Sequence, residues 1–208
     1  MRIKSLATAP DRAGRYRVVF EDDSALRLYR QTVEDFGLYA GLELTDEQTQ
    51  KLHAAAGEMS AKMRAVRIVA ASSVSKRDLE HRLVQKGENP EQAKATVAWM
   101  SEMSLLDDRK TAEQVIARCI AKGYGLARAK QALYEKRIPK DLWADALAEY
   151  PDQIDKIMEF LESRLTDTPS DKDVKRAIDA LLRRGHSYGN IRRAMQEMAM
   201  DSREFPED

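Results

Sequence analysis

The chain has 208 residues, of which 43% are hydrophobic and only 6% aromatic, and its 35 Lys and Arg residues are balanced by 35 Asp and Glu residues. This balance excludes a bulk charge that would drive the protein onto nucleic acid or anionic lipid, so any electrostatic attraction has to be local. A single cysteine excludes an intramolecular disulfide framework, and no apolar run is long enough to span a bilayer. We therefore expect a cytoplasmic protein without a membrane segment.

The amino-terminal region has the periodicity of β-strands. Short, partly alternating apolar runs occupy residues 2–7, 16–20 and 25–29, and stretches rich in Asp, Gly and Ser separate them. This pattern predicts a small antiparallel meander of three strands. An isolated sheet of this size is marginally stable, so we expect its apolar face to pack on a helix.

A capping box begins the first long helix. Thr45 is followed three residues later by Gln48, a spacing that lets side chain and backbone at a helix start satisfy each other's hydrogen bonds. Apolar residues then recur at helical spacing to about residue 72, with Gly57 as a candidate break.

Three helical units follow one another along the rest of the chain. The first combines the end of the long helix with helices at 76–86 and 91–103. In the second, Asp107 or Asp108 caps the first helix, and Pro139 ends the second helix and opens the third. The expected boundaries are a β-containing region at 1–44, a connecting helix and first repeat at 45–106, a second repeat at 107–150, a third repeat at 151–200 and a flexible polar tail at 201–208.

The three units are copies of one another. Each middle helix carries a leucine, a basic residue three positions later and then the helix end. The equivalent pairs are Leu83 with Lys86, Leu133 with Lys136, and Leu181 with Arg184. Tandem copies of this length predict a mostly α fold, with three-helix repeats in an elongated, curved array and a small N-terminal β meander.

One set of residues in the second repeat resembles a known family. The set is Leu106, Asp107, Asp108, Ala112, Arg118, Lys122, Gly123, Gly125, Arg128, Leu133, Lys136 and Ile138. It resembles the central repeat of the RecX family, bacterial regulators of the RecA recombinase, and the flanking repeats extend the resemblance over about residues 62–199. Two positions depart from the family pattern: Arg137 stands where a glycine is usual, and Thr111 where an aromatic residue is usual.

The resemblance implies a function as well as a fold. It implies a non-enzymatic monomer, without a cofactor, that lies in the groove of the RecA–DNA filament. There it would contact RecA subunits, with the DNA backbone nearby, and limit filament growth, strand exchange and ATP hydrolysis during recombination and DNA repair.

Charge is unevenly distributed along the chain. Residues 62–86 hold seven basic and two acidic residues, 107–140 hold nine and four, and 172–193 hold seven and two, whereas 141–171 hold two and nine. Basic side chains on the middle helices would form a discontinuous stripe if the units stack regularly. The candidate docking residues are Arg82, Lys86, Arg118, Arg128, Lys136, Arg137, Arg176, Arg183, Arg184 and Arg192. The alternative is that these residues are only the solvated faces of exposed helices.

The sequence contains no enzyme signature. His53, His81 and His186 are widely separated, which is not the spacing of a metal site, and the glycines around Tyr124 lack the Lys and hydroxyl pair of a phosphate-binding loop. Cys119 lies on the apolar face of a helix, and we interpret it as a small buried hydrophobe.

Two other function classes stay open. The first is a sequence-specific DNA-binding protein, because two short helices joined by a Gly-containing turn at 79–97 resemble a helix-turn-helix. Its reading helix, 91–103, would present Glu91, Gln92, Lys94 and Glu102, a poor set for phosphate contact. The second is a helical-repeat adaptor for peptides.

Overall fold

The computed structural model describes residues 1–166 and 169–198, and the chain divides into two compact units. The first unit contains Met1–Ser72 and Asp78–Leu106, and the second contains Ser73–Arg77 and the residues from Asp107 onward. The strands are β1 (Ile3–Leu6), β2 (Arg15–Phe20) and β3 (Ala25–Tyr29). The helices of the described residues are α1 (Arg30–Asp35), α2 (Asp46–Ala71), α3 (Lys76–Gln85), α4 (Pro90–Glu102), α5 (Asp108–Ala121), α6 (Leu126–Glu135), a 3₁₀ helix (Lys140–Leu142), α7 (Trp143–Leu147), α8 (Ile154–Glu162), α9 (Asp171–Arg183) and α10 (Tyr188–Glu197). The predicted mostly helical repeat fold with a small N-terminal meander is confirmed.

The meander is an antiparallel sheet in the order β1-β2-β3. Val18 on β2 pairs with Leu26 on β3, and Phe20 pairs with Ile3 on β1. Alternate side chains therefore point to one apolar face, where Val18, Phe20 and Ile3 are buried. The face is closed by Leu52 of α2, as expected for a sheet too small to be stable alone.

Helix α2 is continuous over 26 residues, starts at the predicted capping box and shows no break at Gly57. Thr45 accepts a hydrogen bond from the Gln48 backbone amide at 3.2 Å, and the Gln48 side chain accepts one from the Thr45 amide at 2.9 Å. A β-carbon built on Gly57 would lie 2.4 Å from Nε2 of Gln92 on α4. Gly57 thus admits a close side chain from a neighbouring helix instead of ending its own.

The second unit holds two three-helix cores. Helices α5, α6 and α7 enclose one core, and α8, α9 and α10 enclose the other. The fully buried leucines Leu133 and Leu181 occupy equivalent places in the two cores, as the repeat alignment predicts. The segment Ser73–Arg77 packs at the carboxyl end of α6, where the Ser75 hydroxyl donates to the Lys136 carbonyl at 2.6 Å.

The two departures from the family pattern have local explanations. Arg137 adopts a left-handed conformation, with φ of 53°, and so do Gly87 and Gly185 at the same place in the other repeats, with φ of 88° and 86°. The helix end therefore keeps its geometry without a glycine. Thr111 is buried, and its hydroxyl donates to the Asp107 carbonyl at 2.8 Å, so a hydrogen bond replaces an aromatic contact.

Three predicted boundaries differ from the structure. The third helix of the second repeat is split into the 3₁₀ turn and the short α7. The third repeat is expected from residue 151, but its first helix, α8, begins at Ile154, because Gln153 is left-handed, with φ of 61°, and its buried amide donates to the Ile120 carbonyl at 3.3 Å. The same repeat is expected to extend to residue 200, and its last helix, α10, ends at Glu197. Its last predicted residues and the predicted tail at 201–208 lie outside the described residues.

Across residues 1–166 and 169–198, no helix is both long and apolar enough to cross a membrane. Within the same ranges, no three His, Cys, Asp or Glu side chains converge as a metal site requires.

Candidate functional site

Arginines and aromatic rings converge in one cleft of the second unit, which we call the arginine cleft. It has a volume of about 420 Å³ and is open to solvent. It lies between the turn after α5 and helices α6, α8 and α9. Its lining residues are Tyr124, Arg128, Phe160, Arg164, Ala180, Arg183 and Arg184.

Arg184 is held at the centre of this cleft. Its guanidinium carbon lies 5.8 Å from the Tyr124 ring centroid and 5.1 Å from the Phe160 ring centroid. Its Nη2 donates to the Lys122 carbonyl at 3.2 Å. Two cation–π contacts and one hydrogen bond fix the guanidinium before any ligand arrives, and its remaining N–H groups can still bind an anion.

The turn after α8 supplies a second arginine to the Phe160 ring. The guanidinium of Arg164 lies 5.5 Å from the Phe160 centroid, one helical turn away in sequence. Neither Arg164 nor Arg183 has a carboxylate within ion-pair distance in the part of the chain that the structure describes. Both are therefore available to a ligand.

One carboxylate partly neutralises the positive charge of the cleft. Arg128 donates from Nη1 to Oε1 of Glu135 at 2.9 Å, and Gln131 donates to the same oxygen at 3.3 Å. The hydrogen bond from Arg128 lowers the pKa of Glu135 and keeps it ionised. The Arg128 guanidinium also lies 5.9 Å from the Tyr124 centroid.

Side-chain contacts to backbone carbonyls hold the turn that carries Tyr124. Gly123 is left-handed after α5, with φ of 62°, and its carbonyl lies 3.0 Å from Nε2 of His186. The imidazole is buried, which lowers the pKa of His186, and the nearby positive charge of Arg184 acts in the same direction. The Tyr150 hydroxyl donates to the Tyr124 carbonyl at 2.6 Å, and this hydrogen bond restrains the turn at Tyr124.

A second basic cleft, which we call the tryptophan cleft, lies at the opposite end of α6 in the same unit. It has a volume of about 410 Å³. Its lining residues are Arg77, Tyr134, Glu135, Arg137, Ile138, Lys140 and Trp143. The Tyr134 ring is 66% exposed, and the Trp143 indole N–H donates to the Ile138 carbonyl at 3.1 Å.

The structure brings only part of the predicted docking set together. Arg128, Arg183 and Arg184 line the arginine cleft, and Arg137 lines the tryptophan cleft. The other residues of the set that lie in the second unit have exposed or partly exposed side chains outside these clefts. They are Arg118, Lys136, Arg176 and Arg192.

Some predicted docking residues are engaged inside the protein. Arg82 pairs with the buried carboxylate of Asp78 at 2.9 Å, and the Lys136 ammonium donates to the Ser73 carbonyl at 3.1 Å. In the first unit, the Lys86 carbonyl accepts a hydrogen bond from Arg64 at 2.6 Å, whereas the Lys86 side chain is exposed.

Sequence reasoning missed several cleft residues. Arg164 lies in the acidic stretch 141–171, and the negative net charge of this stretch gives no sign of a single important arginine. The available signal was its spacing of four residues from Phe160, which lets a guanidinium just beyond the helix end reach back over the ring. The glycines on either side of Tyr124 indicate only a turn and do not predict the position of its ring. Cys119, in contrast, is 5% exposed, and burial raises the pKa of its thiol, in agreement with the prediction of a core residue.

Known proteins share both the sequence pattern and the fold. Residues 107–147 match the family model described as RecX, second three-helix domain. Over 96 residues the chain is 35% identical to the regulatory protein RecX of Cronobacter sakazakii, covering 41% of this chain and 58% of the relative. The chain thus spans less than two thirds of that relative's length. Over 140 residues it is 24% identical to the regulatory protein RecX of Vibrio parahaemolyticus, covering 66% of this chain and 90% of the relative.

A solved structure extends the fold comparison over nearly the whole chain. The crystal structure of a regulatory protein RecX matches with a TM-score of 0.61 and 19% identity, and it covers 97% of this chain and 99% of its own. The family model, the named relatives and the shared fold agree with one another, and in all three respects the chain is similar to RecX proteins.

Proposed function

We propose that this chain is a non-enzymatic regulator that binds the RecA–DNA filament and inhibits the ATPase and strand-exchange activities of RecA. The observation that carries the proposal is the arginine cleft, where Arg164, Arg183 and Arg184 meet two aromatic rings with one carboxylate nearby. Similarity to RecX proteins supports a regulatory role, because the relatives are named regulatory proteins.

The mechanism we propose is docking through several weak, repeated contacts. An exposed ion pair contributes only about 0–1 kcal/mol, so one arginine cannot hold a filament. Equivalent basic groups on successive repeats can contact successive subunits, and linked contacts raise the overall affinity. Arginine suits this role because its planar fork binds a carboxylate or phosphate through two hydrogen bonds.

Within the predicted docking set, the cleft residues are the ones we propose for the filament contact. Arg82 and Lys136 make hydrogen bonds within the protein, so replacing them would also disturb the fold. Arg183 is exposed and has no carboxylate partner in the described residues, which makes it the better probe of docking.

The test is ATP hydrolysis by RecA of the same organism on single-stranded DNA, titrated with this protein at fixed salt. We expect inhibition by the wild type and weaker inhibition by the double variant Arg164→Glu/Arg183→Glu. The matched control is Lys172→Glu/Lys175→Glu, which reverses two exposed charges at the start of α9, outside the cleft. A wild type that does not inhibit in excess over RecA refutes the proposal, and equal loss in both variants refutes the role of the cleft.

The helix-turn-helix alternative gains no support from its reading helix. Exposed Glu91 and Glu102 flank Lys94 on α4, and this mixture repels a phosphate backbone as much as it attracts it.

A further inference from the structure

We propose that residues 199–208, which we call the acidic tail, bind the arginine cleft of the same chain and limit access to it. The acidic tail follows Met198, the last residue that the structure describes. The contact itself involves no other molecule. Its regulatory effect rests on the proposed function, because a cleft that the tail occupies is not open to a filament.

The acidic tail and the cleft have complementary compositions. The tail contains four acidic residues and one basic residue, Arg203, and Phe205 lies between two of the glutamates in the sequence. The acidic residues are Asp201, Glu204, Glu207 and Asp208. The cleft combines four arginines with the rings of Tyr124 and Phe160. A carboxylate binds a guanidinium group through two hydrogen bonds, and an aromatic ring adds a cation–π contact, so the tail offers both kinds of partner.

The cleft already binds one carboxylate of the protein. Arg128 donates from Nη1 and Nη2 to the two oxygens of Glu135, at 2.9 Å and 3.4 Å. Within residues 1–166 and 169–198, Arg164 and Arg183 make no ion pair with a carboxylate. Arg184 is oriented by two rings and a carbonyl oxygen, which leaves its charge uncompensated. A segment that carries carboxylates therefore breaks no existing ion pair at these three arginines.

The acidic tail is long enough to reach the cleft. Met198 packs on the hydrophobic core of the third repeat, and Phe160, which lines the cleft, packs on the same core. The longest helix around this core is α9, whose 13 residues span about 20 Å. Ten residues of extended chain span up to about 33 Å. The tail can therefore cover the whole length of the core that separates Met198 from the cleft.

The cation that lies close to the tail along the sequence is already paired. The guanidinium of Arg193, on α10, lies 2.9 Å from a carboxylate oxygen of Glu197 and 3.1 Å from one of Asp152. A tail carboxylate has to displace one of these partners to bind there. The arginine cleft requires no such exchange, so we expect the tail to bind in the cleft.

Tethering makes a weak contact sufficient. Exposed ion pairs contribute little individually, so a free peptide with this sequence is expected to bind only weakly. A short tether gives the tail an effective concentration of about 1 mM at the cleft. With an intrinsic dissociation constant of about 1 mM, the tail occupies the cleft in about half of the molecules, which raises the apparent dissociation constant of another ligand about twofold.

Disulfide trapping in the full chain tests the contact directly. The cleft pair is Ala180→Cys/Pro206→Cys, because Ala180 lines the cleft. The matched control is Leu182→Cys/Pro206→Cys, since residue 182 lies two positions further along α9 and points about 200° away from residue 180. The native Cys119 is buried. In a glutathione buffer at low protein concentration, we expect at least about fivefold more intramolecular disulfide in the cleft pair than in the control.

Charge variants of the cleft pair test the ion pairs. Arg164→Ala/Arg183→Ala should lower the disulfide yield about threefold. Lys172→Ala/Lys175→Ala removes two exposed charges of α9 outside the cleft and should change the yield little. Salt at about 0.5 M should lower the yield as the cleft variant does, because it screens exposed charges. Circular dichroism and the thermal midpoint of each variant verify that it is folded.

The regulatory effect is measured in the RecA ATPase assay. The neutral-tail variant replaces the four carboxylates by amides, as Asp201→Asn/Glu204→Gln/Glu207→Gln/Asp208→Asn. It should lower the concentration for half-maximal inhibition about twofold, because the cleft is then open in every molecule. Arg203→Gln is the opposite control: it makes the tail more acidic and should raise that concentration.

The trapping experiment separates the tail contact from the proposed function. Equal disulfide yields at positions 180 and 182, or a yield that ignores the cleft arginines, would overturn the contact whether or not the chain inhibits RecA. Disulfides that join two chains and increase with protein concentration would overturn it in favour of a tail bound to a second copy. Preferential trapping with unchanged inhibition in both tail variants would overturn the regulatory effect. Preferential trapping in a chain that does not inhibit RecA would support the contact and refute only the proposed function.

Discussion

Gly125 lies so close to Gly185 that a β-carbon built on Gly125 would be 2.1 Å from the Gly185 carbonyl oxygen. The same contact carries two backbone hydrogen bonds, from the Gly125 amide to the Arg184 carbonyl at 3.0 Å and from the Ala127 amide to the Gly185 carbonyl at 3.2 Å. The amino end of α6 is thereby joined to the carboxyl end of α9. These hydrogen bonds also bring together Arg184 and Arg128, which both line the arginine cleft.

Gly125→Ala should therefore destabilise the protein strongly. The new methyl group meets backbone atoms that cannot move aside, and we expect the free energy of unfolding to fall by about 3 kcal/mol. Gly189→Ala is the control, because a β-carbon there has no neighbour closer than 4.0 Å and Gly189 lies inside α10. It should raise stability by up to about 1 kcal/mol. Urea unfolding of both variants measures the difference, and equal effects would contradict it.

Arg137→Gly should stabilise the end of α6. Arg137 is left-handed, with φ of 53°, and a side chain in this conformation costs about 1–2 kcal/mol. Part of the gain is offset because glycine loses more entropy on folding, so we expect a net rise of about 0.5 kcal/mol. Arg137→Ala removes the same charge and keeps the strain. If the glycine variant is no more stable than the alanine variant in thermal unfolding, the strain is not relieved.

Stability should fall in mild acid because of His186. Burial lowers the pKa of His186 in the folded protein below its ordinary value of 6.5. In mild acid the unfolded chain binds a proton that the folded chain does not. The contribution of neutral His186 to the free energy of unfolding is therefore complete above about pH 6.5 and is lost as pH falls below it. His186→Gln keeps a donor for the Gly123 carbonyl but cannot be protonated. Between about pH 7.5 and about pH 5.5 the wild type should lose more unfolding free energy than this variant; parallel losses would contradict the assignment.

Tyr150→Phe should weaken the turn that carries Tyr124. The Tyr150 hydroxyl donates to the Tyr124 carbonyl at 2.6 Å, and burial raises the pKa of Tyr150 to about 12. Losing this bond should cost about 1 kcal/mol of unfolding free energy. In an alkaline absorbance titration of the folded protein, one tyrosine should ionise later than the others. This late step should disappear in the variant.

The sequence was informative wherever a local rule determines the structure. The capping box at Thr45 and Gln48, the Asp107 cap and the repeated leucines of the middle helices follow from spacing alone, and the structure contains all of them. Gln153 shows the limit. Its left-handed backbone depends on a hydrogen bond to Ile120 across the fold, and no local pattern encodes that partner.

The candidate site was predictable only in part for a related reason. Arg128, Arg183 and Arg184 could be selected because the middle helices are basic. Their contact with Phe160 and Arg164 depends on how α8 packs against α9. The net charge of the residues around Arg164 is negative, so a count of charge along the sequence does not reveal this arginine. Spacing places a residue on a helix face, whereas only tertiary packing decides which faces share a cleft.

Helix α2 links the sheet to the first repeat. It fixes the angle about the helix axis between the face that packs on the sheet and the face that packs in the repeat. Leu52 closes the sheet core, and Ala61 and Ala65, two to four turns further on, are completely buried. One residue inserted between Leu52 and Ala61 would turn the rest of the helix by about 100° and expose one of the two buried faces. Insertions of about seven residues, close to two whole turns, would keep both faces in place. Length variation in this part of the chain is therefore expected in whole-turn steps, and single-residue insertions should be tolerated only in the loops at either end of the helix.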